Sequence, residues 1–256
     1  MTLVRYWLFA MVLVVAAGIS GTSPNAAEPL FDAAQKQELH KIIRDYLVSN
    51  PEVLREAFEA LERQQQEQQL TQARESIKNN ADLLYRSKRD FVVGNPAAKM
   101  TMVEFFDYNC GYCKRSLNDV VALVESDQDL KLVLKEFPIL GPGSLFAARA
   151  AIAAKKQNKY WELHLAMMKS RGAVNEEQVI KIAGEVGLDI DQLRADMEDP
   201  EVNATINESM EIANALGING TPAFVIDDRL IPGALGLDGL AAKIAEVRDG
   251  GGCTVC

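Results

Sequence analysis

Histidine is nearly absent from this chain, which carries only His40 and His164 in 256 residues. A lone histidine in an apolar helical stretch such as Trp161–Leu165 is ordinarily a satisfied interior or helix-surface group. Neither histidine is therefore read as a metal ligand or acid–base catalyst, and no metal or cofactor is called for. An excess of basic charge is also lacking: 27 Lys and Arg stand against 36 Asp and Glu, a net charge of −9, which argues against nucleic acid as a partner. No internal repeat is evident. Long apolar runs are missing too, since Leu8–Ala17 falls short of the roughly 20 residues that a membrane span needs. Behind Arg5 and ahead of the small, polar Gly18–Ala27, that run reads as a secretory signal over residues 1–27, cleaved near Ala26 or Ala27. An uncleaved anchor is the alternative. The implied location is periplasmic or secreted, where disulfides persist.

What is present is 48% hydrophobic and 25% charged residues, an ordinary globular composition with material for one core plus additions. The chain is organised around Thr101–Cys113. Its apolar, aromatic-rich first part reads as a buried strand and ends in Cys110-Gly111-Tyr112-Cys113. Beyond it, Leu117, Val120, Val121 and Val124 recur at helical spacing, so the cysteines fall where strand becomes helix. Free N–H groups and the dipole at a helix N-terminus stabilise an anion. Cys110 is accordingly expected to be the attacking thiolate, and Cys113, one turn on, to close back on it. A merely stapling disulfide is the competing reading; so short a loop contributes little cross-link entropy. Gly111 and Tyr112 are expected to tune Cys110 and to face whatever approaches it. Glu104 lies inside the apolar strand, where a carboxylate is costly to bury without a task. Thr221-Pro222 directly precedes the strand Ala223–Ile226, a context in which a cis peptide bond would be deliberate.

In these residues the chain resembles the DsbA family of thioredoxin-fold thiol–disulfide oxidoreductases, over about residues 90–248. The resemblance implies an α/β thioredoxin fold with an inserted helical subdomain. It makes Cys110 the nucleophile, Cys113 the resolving thiol, Glu104 a buried acid exchanging protons with Cys113, and Thr221-Pro222 a substrate loop facing the sulfurs. The implied partners are unfolded or misfolded client proteins and a membrane redox partner that resets the dithiol.

In chain order, Phe31–Ser49 is predicted helical with the stripe Leu39, Ile42, Ile43, Tyr46 and Leu47. Asn50 is read as N-cap and Pro51 as first residue of a second helix, striped by Val53, Leu54, Ala57, Phe58 and Leu61. A polar, glutamine-rich run then leads through Ile77, Leu83 and Leu84 as a linker. Such short amphipathic helices cannot bury their stripes alone. Residues 28–88 are thus expected to be an oligomerisation region, with a cap on the same chain as the alternative. This region resembles the N-terminal part of ScsC-type proteins, from which a homo-oligomer, a trimer in particular, is expected.

The main domain is expected over 89–250: an edge strand at Asp90–Pro96, a strand over Leu130–Pro138, helices over about 144–216, a hairpin turning at Asp227-Asp228 and a closing helix at Leu237–Val247. Phe106, Tyr108, Tyr112 and Phe137 are candidates for apolar surface around the sulfurs, with core packing as the alternative for Phe106 and Phe137. A second Cys-x-x-Cys, Cys253–Cys256, sits on an expected flexible tail over 251–256. It reads as a local disulfide, then as a second exchanging dithiol, then as a soft-metal site. The function expected is a protein disulfide isomerase or reductase. The alternatives are a monomeric disulfide-donating oxidase, a copper-binding protein using both dithiols, or a structural module.

Overall fold

The computed structural model describes residues 31–256, so the expected signal over 1–27 lies outside the described residues. Among the described residues no helix is long and apolar enough to cross a membrane. The chain divides into two compact units, one ending at Ala60 and the other running from Leu61 to Cys256.

In the first unit, helix α1 (Ala33–Ser49) opens on a capping box. The Asp32 carboxylate accepts from the Gln35 N–H at 2.8 Å, and the Gln35 side chain accepts from the Asp32 N–H at 2.9 Å. Helix α2 follows from Pro51 and continues without a break to Asn79, through the glutamine-rich run. Asn50 does not cap α2 as expected: its side-chain amide donates to Tyr46 O at 2.8 Å and closes α1 instead. One residue separates the two helices, and the amide is a donor, so it serves the orphan carbonyls of the preceding end. No residue of α1 is buried, and Leu39, Ile42, Ile43 and Tyr46 stand open.

The second unit is an α/β fold of the expected thioredoxin type. Its five strands are β1 (Phe91–Gly94), β2 (Met100–Phe106), β3 (Leu130–Glu136), β4 (Ala223–Ile226) and β5 (Arg229–Pro232), in the sheet order β1-β3-β2-β4-β5. β2 and β3 pair in parallel across helix α4 (Gly111–Ser126), and the other pairings are antiparallel. All seven residues of β2 are buried, because both faces of the sheet are covered.

Successive residues of a strand point to opposite faces. Met102 and Phe106 face α4, the closing helix α10 (Gly236–Asp249) and the inserted helices. Those helices are α5 (Pro142–Ala154), α6 (Tyr160–Lys169), α7 (Glu176–Glu185), α8 (Ile190–Asp196) and α9 (Pro200–Ala215). Val103 and Phe105 face a second cluster that includes Ile77 from the end of α2, Ala81, Leu84 and Tyr85 from the short helix α3 (Ala81–Tyr85), and Ile212 and Leu216.

The end of the polar rod is thus core, and buried charge ties it down. Lys135 of β3, fully buried, donates to Leu83 O at 2.6 Å and pairs with Asp90 at 2.6 Å. Burial raises the Asp90 carboxyl to about 6 even against that cation.

The tail over 251–256 is docked rather than flexible. Gly251 and Gly252 turn the chain with φ of 108° and 90°, left-handed angles that favour glycine. Asp227 Oδ1 then accepts from the Thr254 N–H (2.7 Å), the Thr254 hydroxyl (2.9 Å) and the Val255 N–H (3.1 Å). Cys253 and Cys256 are joined as a disulfide. Val255 and Cys256 pack on the second cluster, and their apolar contact with it explains why so short a tail is held.

Candidate active site

Cys110 is the N-cap of α4. Its extended backbone (φ −77°, ψ 114°) aims the sulfur at the open end of the helix, where it accepts from the Cys113 N–H at 3.4 Å. Cys110 and Cys113 are unbridged and buried. Hydrogen bonding from Cys113 and the Thr221 side chain, with the Cys113 and Tyr112 amides, brings the Cys110 thiol down to about 5, against the opposing effect of burial. The same interaction with Cys110, together with burial and the charge of Glu104, pushes the Cys113 thiol far above its ordinary value. Two thiols of one motif are thereby split into a ready thiolate and a proton-holding partner.

The Thr221–Pro222 bond is cis. When protonated, Cys110 Sγ donates to Thr221 O at 3.1 Å. Thr221 is half-buried, Pro222 is buried, and only 6% of Cys110 reaches solvent. A segment laid along the Thr221 main chain therefore has its own atoms beside the sulfur. Gly111 and Tyr112 are both exposed on the first turn, and the Arg115 guanidinium lies 4.2 Å from the Tyr112 ring centre. Gly111 meets no steric demand for glycine, since a methyl there would make only ordinary contact with Arg115 at 3.5 Å.

Glu104 shares its pleat face with Met102 and Phe106, the face that carries α4. It is 4% exposed, and burial first, then the charge of Cys110, raises its carboxyl to about 8. Among the described residues no cation pairs with it. A carboxyl poised near 8 and coupled to both thiols can hold or release a proton near neutral pH.

The apolar candidates resolve unevenly. Tyr112 alone is at the surface; Phe106 and Phe137 are core, and Tyr108, at 1% exposure, adds no surface around the sulfurs. The Tyr108 hydroxyl explains its position: it donates to Glu136 at 3.1 Å and meets His164 Nδ1 at 3.2 Å, in a pocket where Tyr160 also donates to Glu136 at 2.8 Å. Burial lowers His164 to about 3, so it is neutral there, and raises Glu136 to about 8.

Positioning residues not expected from the sequence hold the loop ahead of the cysteines. Asp107 accepts from the Asn109 N–H (2.7 Å), the Leu140 N–H (2.9 Å) and the Ser144 hydroxyl (2.7 Å). Asn109 in turn exchanges hydrogen bonds with Val174 of the inserted subdomain at 2.7 and 3.0 Å. A Cβ on Gly143 would meet Val174 O at 2.6 Å, so glycine permits that approach. Lys114 Nζ donates to Ser170 O (3.0 Å) and Gly172 O (3.1 Å). The Asp-x-Asn turn before Cys110 was the one available sign of this anchorage. Its partners lie too far along the chain to be read from pattern.

The second Cys-x-x-Cys is remote. Cys256 Sγ lies 3.9 Å from Thr101 O, at the end of β2 opposite Cys110, with roughly 16 Å of extended strand between Thr101 and Phe106. Among the described residues no group of three or more His, Cys, Asp or Glu side chains is gathered to hold a metal ion.

Against known proteins, residues 101–245 match the family model of the DSBA-like thioredoxin domain. Residues 35–68 match that of the copper resistance protein ScsC N-terminal domain. A thioredoxin-like oxidoreductase of Silicibacter pomeroyi DSS-3 is 49% identical, with a TM-score of 0.65 over 66% of this chain and 97% of that one. ScsC of Proteus mirabilis in a transitional conformation is 30% identical, with a TM-score of 0.63 over 85% of this chain and 96% of that one. Among curated proteins, the Na(+)/H(+) antiporter NhaA of Herminiimonas arsenicoxydans is 30% identical over 164 residues, 63% of this chain and 26% of the antiporter. The chain spans about a quarter of the length of the curated relatives it matches.

Proposed function

The chain belongs to the family of DSBA-like thioredoxin domains, and from that premise we propose that it is a periplasmic or secreted protein thiol–disulfide oxidoreductase, working as isomerase or reductase on unfolded or misfolded clients. The observation that carries the proposal is the split of the dithiol, with Cys110 near 5 and in contact with the Thr221 carbonyl.

The Cys110 thiolate attacks one sulfur of a client disulfide, forming a mixed disulfide and releasing the other client sulfur as a thiolate. For isomerisation, a client thiolate then attacks the mixed disulfide and Cys110 leaves unchanged. For net reduction, Cys113 gives its proton to the ionised form of Glu104 and attacks Cys110 Sγ. The enzyme disulfide forms, and the client sulfur leaves as a thiolate that takes up a proton from water. A membrane redox partner resets the pair. Thr221 lends its main-chain groups to the client as a strand would. A nucleophile near 5 lies between the roughly 7 of thioredoxin and the roughly 3.5 of DsbA, a placement that suits reversible exchange better than one-way donation.

The open apolar stripes of α1 (Leu39, Ile42, Ile43, Tyr46) and of the start of α2 (Leu54, Phe58, Leu61) support an oligomerisation role for the N-terminal region, with several active sites around one client and a trimer favoured. The test is mass in solution together with reactivation of scrambled ribonuclease. The full chain is expected to be oligomeric and active in reshuffling, and Ile43→Asp with Phe58→Asp to give a monomer that exchanges but no longer reshuffles. A monomeric full chain removes the isomerase assignment. Truncation to residue 88 is not a clean test, because it removes Ile77, Leu84 and Tyr85 from the second core. The equilibrium of Cys110–Cys113 with glutathione sets the direction.

A further inference from the structure

A cavity of about 170 Å³ lies against the Thr221-Pro222 loop, and beside it lies a larger one of about 790 Å³. Gly217, Asn219, Leu230 and Pro232 line both, so the two are one groove that runs up to the Thr221-Pro222 loop, whose Thr221 carbonyl meets Cys110. Its far wall is α2. Gln66, Gln69 and Gln72 recur at helical spacing along it, faced by Asn214 and Asn219, and Glu75 is its one charged lining residue. The side-chain amides of Gln66, Gln69, Gln72, Asn214 and Asn219 are exposed. They take no part in hydrogen bonds within the protein among the described residues.

We infer that the glutamine face of α2 is the second wall of a binding groove for an extended polypeptide, the stretch of client that flanks its reacting cysteine. Each amide both donates and accepts, which matches a peptide main chain whatever its side chains. That suits clients with no common sequence, and a nearly uncharged wall neither selects nor repels by charge. From Gln66 to Asn79 the helix rises about 20 Å, the reach of about six extended residues. β5 is the sheet edge on this side, so the groove floor ends in main-chain groups that a strand can pair with. Continuity with the Thr221 loop favours this occupant: one end of a chain held at Cys110 and paired along Thr221 runs along Gly220–Gly217, which leads into the groove. The inference rests on the oxidoreductase reading for its client but not for its geometry.

The test uses the full chain and reduced, carbamidomethylated ribonuclease, which is unfolded and cannot exchange disulfides, with binding followed by fluorescence anisotropy. Gln66→Ala, Gln69→Ala and Gln72→Ala together are expected to weaken binding about tenfold, the size of one or two net hydrogen bonds, and Asn219→Ala to weaken it in the same direction. Alanine raises helix propensity at these exposed positions, so α2 stays intact. Gln64→Ala, outside the groove, is the comparison and is expected to leave binding unchanged. In the reaction of the oxidised forms with client thiols, the triple variant should lose about tenfold in preference for polypeptide over glutathione. Binding that the triple variant leaves unchanged, or that Gln64→Ala weakens equally, overturns the inference. If the unaltered protein fails to exchange with glutathione while its binding still depends on these glutamines, the oxidoreductase reading falls and the groove stands.

Discussion

The two Cys-x-x-Cys motifs have the same spacing and opposite chemistry. Cys110 and Cys113 open a helix, are unbridged in this structure, and differ widely in acidity. Cys253 and Cys256 close a disulfide beyond the last helix, at the other end of the sheet, beside the Asp227 carboxylate. Spacing allows a ring, but surroundings decide whether it is reactive. A helix N-terminus supplies N–H donors that favour the thiolate. A carboxylate beside a sulfur disfavours it, and Asp227 Oδ1 stands 3.5 Å from Cys253 Sγ.

The sharpest way to break this contrast is to remove one sulfur from each motif. Cys110→Ser should reduce insulin-reductase and ribonuclease-reshuffling rates to background, a loss of at least about a thousandfold. Cys253→Ser with Cys256→Ser should leave both rates within about twofold, because distant sites act independently. Comparable losses from the two would make the tail part of the chemistry.

Glu104→Gln is the next largest. Loss of the proton acceptor should slow release of client from the mixed disulfide by about ten- to a hundredfold, with initial attack little changed, as rapid-quench kinetics would resolve. Stability gives a second reading. Because burial raises Glu104 to about 8, the folded state holds a proton that the unfolded chain has lost, and stability falls as pH rises from the ordinary carboxylate range towards 8. Glu104→Gln should flatten that slope in denaturant titrations.

Alkylation against pH compares the motifs directly. Cys110 should react with a midpoint near 5, its rate falling as pH drops through that value. The tail should resist alkylation at every pH until its disulfide is reduced. A Cys110 midpoint near 8.5 would remove the basis for the proposed chemistry.

The smallest effect concerns what docks the tail. Asp227→Asn removes a charged acceptor of three hydrogen bonds and should cost about 1–3 kcal/mol. Amide exchange over residues 251–256 should rise while thiol exchange at Cys110 is unaffected.

Much of this was legible in the chain. The run Met100–Phe106 reads as a buried strand because both faces are apolar, and Glu104 stands out because one carboxylate there has no ordinary reason. Other features were not legible. Asn50 lies between two helices and suits either end by pattern; which end it caps depends on the path of the chain. Tyr108 looks like surface beside a reactive sulfur, yet its hydroxyl finds Glu136 and His164, brought from two other elements. The tail reads as flexible because its neighbours are glycines, and Asp227 lies too far back along the chain to be suspected.

By itself the sequence determined which residues could react and where secondary structure begins, since periodicity, helix ends and proline act over a few residues. Only the tertiary structure decided how far the acidities of Cys110, Cys113 and Glu104 are pushed apart, that the tail is docked, and which face of α2 lines a groove. Those depend on desolvation and on contacts between segments distant in the chain, and no local pattern encodes them.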